Sequence, residues 1–166
     1  MTGVQLRPLV DALREVVLGQ QVIHADETPV LMLTPGSKKT HRSYVWAFAT
    51  SQFCETAAVD YDLSPSRAGE HARNFLQDWS GKLVCDDFIG YKATFELGVI
   101  EIGCMAHAGR KFFELHATNE SMLAEQVLRY IQFLYEIESE VRNLEPDLLR
   151  RIRQEKAVPV TDNLHA

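Results

Sequence analysis

Apolar residues near the beginning of the chain recur three or four positions apart, which is the spacing of one helical face. Pro8 stands near the start of this pattern and Gly19 just past its end, the positions that these two residue types favour around helices. The pattern therefore predicts an amphipathic leading helix within residues 1–20. Its apolar face consists of Leu9, Val10, Leu13, Val16 and Val17.

The next forty residues contain short apolar runs rich in β-branched and aromatic residues, which is typical of strands. The first two runs are predicted to form a strand pair bent at Thr28-Pro29, followed by a turn-rich basic loop from Thr34 to Arg42. This part of the chain is therefore expected to be mainly sheet. The runs are Val22–Ala25, Val30–Leu33, Tyr44–Ala49 and Thr56–Tyr61.

Ser64-Pro65 is a typical helix start, and apolar residues at helical spacing continue from there as far as Gly81. Two further strands are predicted at Lys82–Cys85 and Val99–Ile102, and the pattern from Arg110 onward is helical. Because parallel strands need crossover connections, this order predicts an α/β fold. We expect a mixed sheet flanked by helices, with a helical C-terminal third.

The composition is that of a globular protein, with 46% hydrophobic and 24% charged residues, and 166 residues suit a single domain. No run approaches the roughly 18 apolar residues of a membrane span, and residues 1–10 lack the pattern of a secretion signal. We therefore expect a cytoplasmic protein with no membrane segment. An odd number of cysteines, two of them inside apolar runs, favours reduced thiols over disulfides. They are Cys54, Cys85 and Cys104.

The net charge of -6 does not by itself suggest a protein that binds DNA, because phosphate contacts by lysine and arginine supply most non-specific affinity. The cations that do exist are clustered. Taken alone, such clusters are more often solvated surface than binding sites. The clusters are Lys38-Lys39-Thr40-His41-Arg42, Arg110-Lys111 and Arg150–Arg153.

Two aspartates, Asp26 and Asp86, each follow an apolar run of about four residues, where a buried strand is expected to meet solvent. Ligands of α/β proteins usually gather beyond the carboxyl ends of strands, and carboxylates there can hold Mg²⁺ or Mn²⁺. On spacing alone, Asx turns explain both residues at least as well. The sequence Asp26-Glu27-Thr28 is also similar to aspartyl-phosphate hydrolases, but their second aspartate is replaced here by Thr28.

Four segments of the chain resemble, in order and spacing, the insertion sequence 66 family of transposases, and the resemblance covers nearly the whole chain. It implies a ribonuclease-H-like fold with a five-stranded mixed sheet and the Asp, Asp, Glu metal chemistry by which such enzymes cleave and join DNA. The segments are Ile23–Val30, Ser64–His71, Asp86–Tyr91 and Cys104–Phe113.

The resemblance implies that Asp26 on the first strand and Asp86 on the adjacent fourth strand are the catalytic, metal-binding carboxylates. The family pattern Asp-x-aromatic-x-Gly-Tyr selects Asp86, with Phe88 as the aromatic residue, and leaves Asp87 as the second choice. It also implies transposon-end DNA as the partner. The residues expected to face DNA are Lys38, Lys39, Arg42, His107, Arg110 and Lys111.

The third carboxylate of the family lies in a downstream Asn-Asn-x-x-Glu-Arg type motif that residues 1–166 lack, so we expect these residues to form an incomplete metal site. Glu120 and Glu125 have the spacing from Asp86 that some other Asp, Asp, Glu enzymes use, and Glu114 lies nearer. A solvent-facing role on a helix explains Glu125 better. The family's upstream zinc-binding and helix-turn-helix-like regions are also missing.

Two smaller signals in the fourth segment concern its basic residues and a possible zinc site. Gly109 stands where the family usually has a second basic residue. Cys104-x-x-His107 has metal-ligand spacing, but a zinc site needs about four ligands and no second pair is present. We therefore interpret Cys104 as a buried thiol.

Two functions remain open from the sequence. One is the core of a metal-dependent transposase, and the other is a catalytically inactive remnant or assembly module without the third carboxylate. We expect one partial catalytic domain over residues 1–166, with a leading helix at 1–20, the ribonuclease-H-like core at 21–115 and a helical extension at 116–166. A homo-oligomer is an open alternative to a monomer.

Overall fold

A five-stranded sheet forms the centre of the N-terminal part of the computed structural model, which describes residues 3–36 and 38–165. The chain divides into two units between Cys104 and Met105. The first unit contains the sheet, and the second is helical.

The first three strands form an antiparallel meander, which explains the alternation of buried and exposed residues along them. They are β1 (Val22–Leu33), β2 (Thr40–Thr50) and β3 (Val59–Ser64). The predicted bent pair is therefore wrong, because β1 is one strand that passes through Pro29. On the side of β4 (Lys82–Cys85), β1 is paired only at Val22–His24. Further along, that side of β1 is an edge, where proline is tolerated because no ladder bond needs its N–H.

The last two strands, β4 and β5 (Ile100–Gly103), run parallel to β1, which gives the strand order β3-β2-β1-β4-β5. The parallel connections carry helices, as they must. Between β3 and β4 lies α2 (Glu70–Leu76), and between β4 and β5 lie a 3-10 turn at Ile89–Tyr91 and α3 (Lys92–Phe95). The predicted α/β fold with a mixed five-stranded sheet is confirmed and is compatible with the ribonuclease-H-like class.

One face of the sheet carries the core. Cross-strand partners lie on the same face, so the register places large apolar side chains of β1, β2 and β4 together. Trp46 and Leu83 are completely buried, and Phe48 and Phe75 stack with ring centroids 3.7 Å apart. The further buried members of this face are Ile23, Ala25 and Cys85.

The leading helix exists as α1 (Gly3–Leu18), with Pro8 inside it rather than at its start. Val17 is fully buried in the core, and Leu13 and Val16 pack against it. Leu9 and Val10 are exposed, so only the second half of the predicted apolar face is buried.

The helix predicted to begin at Ser64 begins instead at Glu70, because Ser64 is the last residue of β3. Its hydroxyl accepts a 2.8 Å hydrogen bond from Nε1 of Trp46 and donates one of 2.6 Å to the carbonyl of Ser66. The serine that looked like a helix cap thus satisfies a buried indole N–H instead.

The second unit confirms the predicted helical C-terminal third. It contains α4 (Met105–Asn119), α5 (Met122–Val141), α6 (Pro146–Ile152), a π-helical turn (Arg153–Ala157) and α7 (Val158–His165). Helix α4 begins five residues before the predicted start at Arg110. Within residues 3–36 and 38–165, no helix combines the length and apolar character needed to cross a membrane.

Candidate active site

Asp26 lies on β1, and Asp86 directly follows β4, the strand that runs parallel to β1. The ladder between β1 and β4 pairs Val22 with Lys82 and His24 with Val84. Each aspartate stands two residues beyond the second of these pairs, so the two occupy equivalent positions at the same end of the ladder. The prediction of one shared site rests on this equivalence of backbone positions.

Asp26 is not at the end of its strand, because β1 continues for seven more residues to Leu33. Its side chain is exposed, and its Oδ1 accepts a 2.9 Å hydrogen bond from the N–H of Glu27. Since side chains alternate along a strand, Asp26 and Glu27 project from opposite faces of the sheet. What ends near Asp26 is the pairing of β1 with β4, whose last register pair is His24 with Val84.

Asp86 directly follows the last residue of β4, and its side chain is only 19% exposed. Its Oδ1 accepts a 3.1 Å hydrogen bond from the N–H of Phe88, which is the Asx turn expected from the sequence. A carboxylate has about four lone-pair positions, so this turn leaves room for a cation. Asp87, the second choice, is exposed.

The most buried charge near these aspartates is Glu27, which the sequence analysis did not single out. Its side chain is 1% exposed. Oε1 accepts hydrogen bonds from both Nε (2.8 Å) and Nη2 of Arg67, and Oε2 accepts one of 2.8 Å from the hydroxyl of Tyr91. Burial raises the pKa of Glu27, and the bonds from Arg67 and Tyr91 oppose this rise. Three donors already occupy this buried carboxylate, which makes it a poorer cation ligand than Asp26 or Asp86.

Arg67 joins this buried carboxylate to Asp86. Its Cζ lies 3.9 Å from the centre of the Phe88 ring, and its Nη2 lies 4.0 Å from Oδ2 of Asp86. Arg67 belongs to the second family segment. Its guanidinium thus contacts the first segment at Glu27 and faces the third at Asp86 and Phe88. A signal that could have found Glu27 is the strand alternation itself, which places a glutamate on the same face as Ile23 and Ala25.

A contact between two glycines brings the second and third segments together. A Cβ added to Gly69 would lie 2.2 Å from the carbonyl oxygen and 2.8 Å from Cα of Gly90. One on Gly90 would meet the Phe88 ring at 2.2 Å. Both positions need glycine because backbone and ring approach too closely for a side chain. Trp46 is completely buried nearby and packs against Tyr91 with ring centroids 5.9 Å apart.

The predicted basic loop lies far from Asp26 along the sheet. Arg42 pairs with Leu31, five residues beyond Asp26 on β1, which corresponds to about 17 Å at strand rise. Lys38 and Lys39 are exposed in the hairpin loop beyond Leu33, at least about 24 Å along the strand. Ser37, within the same loop, lies outside the described residues. A basic edge immediately around Asp26 is therefore not formed by this loop.

The other three predicted DNA-facing residues lie on α4. Arg110 and Lys111 are exposed, and His107 is half-buried. The carboxylates weighed as a third ligand are also in the helical unit. Glu114 is exposed on α4, Glu120 follows α4 with a φ of 49°, and Glu125 pairs with Arg129 at 2.6 Å on α5.

The donor set for a cation consists of two aspartate carboxylates, the oxygen ligands that Mg²⁺ and Mn²⁺ prefer. In the part of the chain that the structure describes, no three histidine, cysteine, aspartate or glutamate residues come together to hold a metal. The cysteines are free, and burial, the main cause, raises the pKa of the Cys85 thiol to about 12. A thiolate ligand at the end of β4 is therefore disfavoured, and the two aspartates fit part of a coordination shell.

Known proteins with similar sequences show the family of this chain. The family described as Transposase IS66 family matches residues 1–166. Among proteins of Sinorhizobium fredii (strain NBRC 101917 / NGR234), uncharacterized protein y4qI is 30% identical over 174 residues, covering 98% of this chain and 32% of the relative. Uncharacterized protein y4jD is 29% identical, with 97% and 34% covered. The chain spans about a third of the length of these relatives. With the family match over residues 1–166, the chain belongs to the IS66 family of transposases.

Proposed function

We propose that residues 1–166 supply the first two carboxylates, Asp26 and Asp86, of a metal-dependent core that cleaves and joins DNA at transposon ends. The observation that carries this proposal is their equivalent position beyond the ladder between β1 and β4. Membership of a transposase family supports a role in DNA transposition.

Asp26 and Asp86 would hold the divalent cation, Mg²⁺ or Mn²⁺. When bound, such a cation stabilises the negative charge that develops on the oxygens around phosphorus. In the reaction, the oxygen of water or of a 3′-hydroxyl forms a bond to phosphorus and loses its proton. The bond from phosphorus to the leaving oxygen breaks, and that oxygen takes up a proton.

The protein's own contribution is position and charge. Asp86 is held by its Asx turn, and Asp26 is carried by a strand that is hydrogen-bonded over eleven register pairs to β2. Phosphoryl transfer depends mainly on such positioning and on charge stabilisation. Two carboxylates leave the cation with an open shell, so the third carboxylate belongs to the rest of the longer transposase.

DNA phosphates would be held by exposed cations of the hairpin of β1 and β2 and of α4. Lys38, Lys39 and Arg42 on the long hairpin of β1 and β2 can reach DNA at a distance from the cleaved bond. Arg110 and Lys111, with His107, give α4 an exposed basic beginning. Contacts of this kind position DNA without reading its sequence.

The test compares two proteins. One is residues 1–166, and the other is a completed chain in which the segments that flank the matching third of a relative such as y4qI are added. We expect cleavage and strand transfer of a transposon end only by the completed chain with Mg²⁺ or Mn²⁺. Asp26→Asn and Asp86→Asn should each abolish this activity, whereas Asp87→Asn should retain most of it.

Other outcomes would change the proposal. An active completed chain that keeps its activity in Asp86→Asn would overturn the site assignment. Strong Asp86-dependent activity in residues 1–166 alone would show that Glu120 or Glu125 provides the third ligand. A completed chain that binds transposon ends but never cleaves them would instead support the inactive assembly module.

A further inference from the structure

We propose that Arg67 is a positioning residue that fixes the Asp86 carboxylate and ties it to the segment of β1 that carries Asp26. The proposal rests on the proposed function, because it takes Asp26 and Asp86 as cation ligands. Arg67 acts here through those carboxylates and does not itself contact the cation.

The guanidinium of Arg67 is held from two directions. Nε and Nη2 both donate to Oε1 of Glu27, and the plane lies over the ring of Phe88 at 3.9 Å. Glu27 is in turn held by Tyr91 through its other oxygen. Because Glu27 is the next residue after Asp26, the position of the pair of Glu27 and Arg67 also fixes the backbone of β1 at Asp26.

The two carboxylate oxygens of Asp86 face different groups. The N–H of Phe88 donates to Oδ1 at 3.1 Å, and Nη2 of Arg67 lies 4.0 Å from Oδ2. Rotation of the carboxylate would move Oδ2 away from the guanidinium and break the Asx turn. Groups that hydrogen-bond a metal ligand orient it, and their loss typically weakens metal binding by about 10- to 100-fold. The N–H of Phe88 is such a group, and Arg67 faces Oδ2 as an ion pair at 4.0 Å.

Electrostatics gives a second reason for a positively charged side chain at position 67. Glu27 and Asp86 are close enough to interact electrostatically, and Arg67 is the group that both carboxylates face. Without it, a buried carboxylate and a metal ligand would repel each other across the end of β4. Lysine would keep the charge, but it cannot reproduce the planar fork that meets Glu27 while lying over Phe88.

The same unit provides a matched control in Arg14. Its Cζ lies 4.4 Å from the centre of the Phe75 ring, and its Nε lies 3.7 Å from Oδ2 of the buried Asp60. Both arginines thus stack on a phenylalanine and face a buried carboxylate, but only Arg67 contacts a proposed metal ligand. Arg67 also donates two hydrogen bonds to Glu27, whereas Nε of Arg14 has no hydrogen-bond partner among the described residues, so Arg14 matches Arg67 in its stacking and in facing a buried carboxylate.

The experiment is a Mn²⁺ titration of the 166-residue chain, followed by electron paramagnetic resonance, with thermal unfolding of every variant measured in parallel. We expect Arg67→Lys to weaken Mn²⁺ binding by about tenfold or more. Arg14→Lys should leave Mn²⁺ affinity within about twofold of the unchanged chain, because Arg14 faces Asp60 and no proposed metal ligand. Equal affinity in Arg67→Lys, or an equal loss in Arg14→Lys, would overturn the positioning role.

Two further measurements keep the result interpretable. If Arg67→Lys fails to fold, the double variant Glu27→Gln/Arg67→Gln leaves no unpaired buried charge and should fold while still binding Mn²⁺ weakly. Full affinity in that folded double variant would refute the proposal. Asp26→Asn and Asp86→Asn test the site itself, because unchanged binding in both would overturn the proposed function, whereas a loss in both with normal binding by Arg67→Lys would overturn only the role of Arg67.

Discussion

The hydroxyl of Tyr91 donates a 2.8 Å hydrogen bond to Oε2 of Glu27, joining residues 64 positions apart. Tyr91 is fully buried, and burial, followed by the charge of Glu27, raises the pKa of its phenol. The phenol is therefore a permanent donor in the neutral range. It connects the turn after β4 to β1, the two elements that carry the proposed metal ligands.

Tyr91→Phe should lower the free energy of unfolding by about 1–3 kcal/mol, the usual cost of leaving a buried polar group with one partner fewer. The remaining bonds from Arg67 keep Glu27 paired. Urea unfolding followed by circular dichroism measures the change. Tyr61→Phe is the matched control, since Tyr61 is 66% exposed on β3 and should change stability by less than about 0.5 kcal/mol. Equal effects of the two substitutions would contradict the importance of this bond.

Gly69→Ala should destabilise the chain by about 1–3 kcal/mol or more, because its Cβ would lie 2.2 Å from the backbone oxygen of Gly90. Backbone atoms cannot move aside as a flexible side chain can. Gly109→Ala, on α4, is the opposite case. Its Cβ would lie 3.7 Å from Ile131, an ordinary contact, and alanine is favoured over glycine in a helix by roughly 1 kcal/mol.

Thermal unfolding distinguishes the two glycine substitutions by sign. Gly69→Ala should lower the melting temperature, and Gly109→Ala should leave it unchanged or raise it. A Gly69→Ala variant as stable as the unchanged chain would show that the close approach to Gly90 is absent in solution.

Asp60 should make the stability of the chain depend on pH. Burial, the largest cause, raises the pKa of Asp60 despite the opposing charge of Arg14. The folded chain therefore keeps this proton to a higher pH than the unfolded chain, whose carboxyl titrates near about 4. The resulting stabilisation is complete below that pH and is lost as the pH rises through the raised value.

Asp60→Asn cannot lose this proton. The difference in unfolding free energy between Asp60→Asn and the unchanged chain should therefore move in favour of the variant as the pH rises above about 4. Urea unfolding at a series of pH values measures this difference. A difference that stays constant with pH would contradict the assignment.

Replacing Lys38, Lys39 and Arg42 by glutamine in the completed chain should flatten the salt dependence of DNA binding. Each lost phosphate contact lowers the slope by about 0.9, so the triple variant should lose up to roughly 3. Because these residues lie far along the hairpin from Asp26, Mn²⁺ affinity should not change. Fluorescence anisotropy at several salt concentrations measures the slope.

A control of equal charge uses three cations that form ion pairs on other elements. Arg7 pairs with Asp11 at 3.0 Å, Arg129 with Glu125 at 2.6 Å and Lys156 with Glu140 at 2.8 Å. Their triple glutamine variant should leave the slope nearly unchanged. An equal decrease in both triple variants would mean that net charge, not the hairpin, controls DNA binding.

The sequence by itself determined the class of the fold and the approximate place of most elements. Short apolar runs rich in β-branched and aromatic residues located the strands, helical spacing located α1 and α5, and the need for crossovers led to a mixed sheet with helices. Asp26 and Asp86 were candidates from their place after apolar runs, where Asx turns explained them at least as well, and it was the resemblance to the family that selected them as predicted metal ligands. Such patterns depend only on neighbours along the chain.

Tertiary structure decided what those patterns could not. Ser64 looked like a helix cap because its neighbours along the chain have a capping pattern, but the indole N–H that it satisfies comes from Trp46 on another strand. Thr28-Pro29 looked like a bend, but an unpaired strand side makes proline harmless there.

The buried pair of Glu27 and Arg67 is the clearest case. Sequence patterns treat a glutamate and an arginine forty positions apart as two surface charges, because charged residues are rarely buried. Only the folded chain brings the guanidinium, the Phe88 ring and the Tyr91 hydroxyl around one carboxylate. These partners offset the free-energy cost of burying its charge. The energy of a buried charge depends on partners that are distant in sequence, so it is decided by tertiary structure alone.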